Sequence, residues 1–294
     1  MTPLRLFLAV TFAFSWACFG GAWASRDVSW GLAVPPAAAF VMAAMLGPAL
    51  GALVCAFRFM PAGERARRLG LIVTGWKPLA VWIPAAWVLA TLFCAASVAL
   101  SLAIMGSAPA DPVASLVELV EQSGKPVYIP PDLLFLIQIG VGLPLGMAVN
   151  TVALTFSEEL GWRGWLQPHL AGLGFWKMCL VTGAIWGIWH APIILMGHNY
   201  PGLGWGGVLA MIAFCILFTP YVALFRETGA STWAAGALHG ALNAVAGVTL
   251  LWMPSREWPH MGPIGLEGFA LMLAGWAAVW LIRKRRARTA APAS

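Results

Sequence analysis

Charge is what this chain has least of: 10% of its 294 residues are Asp, Glu, Lys or Arg, against 61% that are hydrophobic. Soluble domains carry about 25% charged residues, so a soluble globular fold is excluded and a polytopic membrane protein is implied. Other absences narrow the field. The five cysteines, Cys18, Cys55, Cys94, Cys179 and Cys215, sit singly in apolar stretches, which offers neither a disulfide framework nor a thiolate metal cluster. The H-E-x-x-H zinc motif is missing. No long linker, low-complexity tract or clear repeat divides the chain, so a single membrane domain over 1–294 is expected. Interrupted apolar segments in matching positions, the mark of many transporters, are also lacking.

What is present is a series of apolar runs of roughly 17 to 25 residues, the length that carries a helix across about 30 Å of hydrocarbon. Eight are expected: Leu6–Ala24, Pro35–Phe57, Leu79–Met105, Leu133–Phe156, Phe175–Met196, Leu203–Phe225, Thr232–Trp252 and Gly268–Ile282. Pro84 and Pro144 interrupt the third and fourth. Cytoplasmic loops collect Lys and Arg. With the N-terminus inside, only Arg26, Lys125 and Arg256 of the 17 basic residues fall outside, so both ends are expected to be cytoplasmic. The net charge of +6 is thus a topology signal and gives little support to nucleic-acid binding. Arg283–Arg288 reads as a basic cytoplasmic tail over 283–294. Arg5, an apolar run and Ala22-Trp23-Ala24 imitate a cleavable leader, but the run exceeds the usual 7 to 15 residues, which favours a retained span. Gly106–Asp132 is expected outside, with a short surface helix over Val113–Val120.

Ionisable groups inside such spans are costly and mark function by default. Glu158-Glu159-Leu160-Gly161-Trp162-Arg163 lies next to the fourth run, just after it. Residues four apart share a helix face, so Glu159 and Arg163 can pair while Glu158 points about 100° away and stays free for chemistry. The alternative is a snorkelling cluster at the interface with Trp162 and Trp165 as belt aromatics. His190 lies in the fifth run, one turn after Trp186 and just before Pro192. His239 and Asn243 share a face of the seventh, with Gly236 and Gly240 beside them to admit a close helix. His169, His198 and His260 fall in loops, where solvation is the simpler reading. Asn150 and Gln138 are polar but belong to no motif.

Together these three runs resemble the CAAX prenyl protease and bacteriocin-processing family of intramembrane endopeptidases, similar to type II CAAX prenyl endopeptidase. Its motifs E-E-x-x-x-R, F-x-x-x-H and H-x-x-x-N are matched at Glu158, Glu159 and Arg163, at His190 with Trp186 in place of Phe, and at His239 and Asn243. The core so covered runs from about Thr151 to Ala246. The resemblance implies an all-α protein of about eight transmembrane helices around a cytosol-facing intramembrane cavity. It also implies an endopeptidase in which Glu158, helped by His190, activates water while His239 and Asn243 stabilise the oxyanion, with Glu159, Arg163 and Trp186 supporting. No cofactor is favoured, a divalent metal such as zinc being the other version. The expected partners are the lipid bilayer and a membrane-tethered peptide or lipoprotein substrate, and the expected setting is a bacterial inner membrane. A non-catalytic scaffold or immunity-type factor of the same fold, and less readily a transporter, are the competing functions.

Overall fold

The computed structural model describes residues 1–29, 34–124 and 126–290, and among them there are helices and no strands. Lys125 and the last four residues of the basic tail lie outside the described residues. In chain order the helices are α1 (Pro3–Ala24), α2 (Pro36–Ala44), α3 (Gly47–Phe59), α4 (Lys77–Met105), α5 (Pro112–Gln122) and α6 (Pro131–Glu159). They continue with α7 (Phe175–Trp189), α8 (Ala191–Leu195), α9 (Trp205–Thr228), α10 (Thr232–Thr249) and α11 (Leu266–Ala290). The surface helix expected at Val113–Val120 is α5, started by Asp111, whose carboxylate accepts the N–H of Val113 at 2.9 Å.

Among the described residues, six helices (α1, α4, α6, α9, α10 and α11) are long and apolar enough to cross a membrane, or seven if the pair α2–α3, bent by 41°, counts as one span. The expected eight is therefore not confirmed as unbroken helices. The run Phe175–Met196 is not one continuous helix, because it breaks at His190. Pro192 has no N–H to give and its ring crowds the preceding turn. The His190 N–H bonds instead to the Gly187 carbonyl at 3.2 Å, a tightened turn. With 15 residues, α7 reaches only about 22 Å.

Contacts between distant residues define two ends of the bundle. At one, the Cys55 thiol reaches the Pro3 carbonyl, Thr232 Oγ1 donates to the Leu69 carbonyl at 2.6 Å, and Arg283 pairs with Glu227 and lies over the Phe175 ring. This end carries the Arg58–Lys77 loop, Arg226 and the Arg283–Arg288 run, and is called the basic end. At the other, the Ala110 N–H bonds the Trp252 carbonyl at 2.8 Å and the Tyr200 hydroxyl donates to the Ile264 carbonyl at 2.9 Å.

The centre of the bundle is α9 and α10, two thirds buried along their apolar windows, whereas α6 is 6% buried and turns most of its length outward. What lets α10 pack deeply is its small residues. A Cβ on Gly240 would sit 2.5 Å from the Asn150 backbone, and one on Gly236 would overlap Thr155 Oγ1, so α6 lies directly against this face. Gly183 and Gly187 of α7 meet the backbone of Ile216 and Ile212 on α9 in the same way. Four helices thereby converge with little side-chain bulk between them, and the polar residues of the motifs lie where they meet.

Candidate active site

The last turn of α6, Thr155–Glu159, and the next stretch, Trp162–Leu166, are both wound as π-helix, the widened form that often accompanies functional sites. Glu158, Glu159 and Arg163 are 4%, 0% and 0% exposed, which rules out the snorkelling cluster at an interface. Burial of this kind requires partners, and each side chain has at least one, although Glu159 Oε2 and Arg163 Nε have none. Glu159 Oε1 accepts Arg163 Nη1 at 2.8 Å, the expected pair, and in addition His239 Nδ1 at 2.8 Å. Arg163 Nη2 donates to Thr219 Oγ1 at 3.3 Å, and its guanidinium lies 4.5 Å over the Trp186 ring.

Trp186 organises the other half. Its indole N–H donates to Glu158 Oε2 at 2.8 Å, and its backbone carbonyl accepts from His190 Nδ1 at 2.9 Å. Where the family motif shows Phe, Trp186 supplies a donor to the carboxylate that Phe lacks. Since a carbonyl only accepts, His190 carries its proton on Nδ1 and its Nε2 is left with a lone pair. His239 likewise gives its Nδ1 proton to Glu159, leaving Nε2 to face elsewhere.

Those free ends share a cavity of about 460 Å³ lined by Glu158, Trp186, His190, His239 and Asn243. Glu159 and Arg163 are not in its wall and act from behind it. His198, Asn199 and Cys215 also line it. His198 had been placed in a solvated loop, and its place at the cavity was not legible because only folding brings that loop over α10. The cavity continues past Gly247 and Leu250 to Met261, Pro263 and Ile264, all toward the end opposite the basic one. No lining residue comes from the basic end. There Trp162, Arg163, Trp165 and Leu166, each at most 1% exposed, close the floor, with Phe7 stacked 4.6 Å from Trp165. The two expectations, a cytoplasmic basic end and a cytosol-facing cavity, therefore point to opposite ends of the molecule and cannot both hold.

Glutamate and imidazole are suitable zinc donors in type. Among the described residues, however, no three His, Cys, Asp or Glu side chains are gathered as a metal-holding group. A resident metal does not fit these residues as they stand, and the chemistry derived from them is that of the side chains alone.

No curated protein matches the chain. A family model does match, over residues 140–245, the stretch that holds Glu158, His190, His239 and Asn243. The matching model is that of the type II CAAX prenyl endopeptidase Rce1-like family, to which residues 140–245 of this chain are similar.

Proposed function

We propose that the protein is an intramembrane endopeptidase that hydrolyses a peptide bond in a membrane-tethered substrate without a resident metal. The observation that carries this reading is the common cavity: a carboxylate and two imidazoles, each fixed at one atom by a buried partner, present their remaining atoms to one space. Glu158 is the general base. Trp186 holds one of its oxygens, and the other takes a proton from water while His190 Nε2 accepts the second water hydrogen and orients it. The water oxygen attacks the scissile carbonyl carbon, a C–O bond forms and the carbonyl electrons move to oxygen. Collapse of the oxyanion breaks the C–N bond, and Glu158 returns its proton to the leaving amine.

His239 and Asn243 stabilise the oxyanion. Because Nδ1 is held by Glu159, His239 donates from Nε2 only as an imidazolium. Each oxyanion donor contributes about 2.7 to 4 kcal/mol in comparable sites.

The test is cleavage of a membrane-tethered peptide by the purified chain in liposomes, read by mass spectrometry of the new termini. Glu158→Gln keeps shape and removes the base, so products should vanish while folded yield is retained. Cleavage should survive thorough chelation. Activity lost to chelation and restored by zinc would reject the metal-free reading, and products undiminished in Glu158→Gln would reject the assignment of the base.

A further inference from the structure

The direction in which the cavity opens carries a consequence for the substrate, resting on the hydrolytic reading above. We infer that the site is loaded from the end opposite the basic one, the non-cytoplasmic face by the charge rule, by an extended peptide segment tethered in that outer leaflet. Three independent observations converge on it. The cavity rim is built by Asn199, Leu250, Met261 and Ile264, which belong to that end. The opposite route is filled by the fully packed layer of Trp162, Arg163, Trp165 and Leu166, backed at Gly164 by the Leu69 carbonyl. Charge then orients the two ends. Among the described residues, Arg26 and Arg256 are the basic residues on the rim's side, beside seven carboxylates (Asp27, Asp111, Glu118, Glu121, Asp132, Glu257 and Glu267), whereas the sealed end carries the basic loop and tail.

The size and lining of the cavity define what can occupy it. An α-helix is about 10–12 Å across with its side chains, too broad for about 460 Å³ that must also hold water. A few extended residues fit, and Phe19, Val41, Met211 and Phe214 give them apolar walls. Substrates held in the cytoplasmic leaflet, where a cytosol-facing site would find them, would have to pass the packed layer of Trp162 to Leu166 to reach Glu158 from that end.

Sided thiol labelling of the full chain tests this. Gly247 lines the cavity beyond Asn243 and Gly63 lies in the basic loop; neither would bring an added Cβ within 4 Å of another atom, so Gly247→Cys and Gly63→Cys are sterically accommodated. The unsubstituted chain, with four buried cysteines and Cys18 half-buried, sets the background. A small membrane-impermeant methanethiosulfonate is expected to label Gly247→Cys in right-side-out vesicles and not in inverted ones, with the reverse for Gly63→Cys. A palmitoylated synthetic peptide added to right-side-out vesicles should slow the Gly247→Cys reaction. Labelling of Gly247→Cys from the inverted side, of both positions from one side, or of Gly247→Cys from neither, overturns the loading face. Sided labelling without protection by the peptide overturns the substrate class. Labelling needs no turnover, so absent cleavage with sided labelling intact would reject hydrolysis and still support the loading face.

Discussion

Trp186 holds three polar groups at once: its N–H goes to Glu158, its ring face to the Arg163 cation and its carbonyl to His190. Trp186→Phe keeps the aromatic bulk and the backbone but removes the donor. A hydrogen bond to a charged group contributes about 1.5–3 kcal/mol, so kcat should fall by about tenfold or more with KM little changed, as measured on the peptide in liposomes. Arg163 behaves differently, because it faces no substrate. Arg163→Ala leaves Glu159 buried with one partner fewer, and breaking a buried pair in this way costs about 3–5 kcal/mol. The expected result is loss of folded protein on size exclusion in detergent, in contrast to Glu158→Gln.

Among the elements, the close crossing of α10 and α6 places His239 on Glu159. Gly240→Ala should therefore lower stability by about 1–3 kcal/mol, the usual range for overpacking, read as a lower melting temperature in detergent. Gly247→Ala, which meets open space, should not. The small-residue face of α10 was legible from Gly236 and Gly240 alone, as were the apolar helices and the pairing of Glu159 with Arg163. The break of the fifth run was not, since Pro192 looked like a feature within a span rather than its interruption. The bond between Glu159 and His239 was equally hidden. Helix periodicity relates neighbours on one helix, whereas these two residues are 80 positions apart and meet only through the α6–α10 crossing. The direction of the cavity escaped for the same reason, because its rim comes from loops whose arrangement no single run encodes.

At the scale of the molecule, the family-matched stretch depends on helices outside it. Phe7 of α1 packs on Trp162 and Trp165, Pro48 of α3 lies against Gly161, and α4 runs along α10, with Trp87 Nε1 donating to Thr151 at 3.2 Å. A fragment limited to residues 140–245 should therefore aggregate in detergent under conditions where the full chain elutes as a single species; a monodisperse fragment would contradict this dependence. The packed layer of Trp162 to Leu166 has a further effect, distinct from catalysis. A hydrolase buried in a bilayer needs water at its centre, and a continuous water column would let protons run down the membrane potential. Here the cavity ends at a wall of indole rings and a guanidinium engaged with Glu159, Thr219 and Trp186. On the proposed reading, hydrolysis would proceed at the closed end of this cavity while the membrane stays electrically tight.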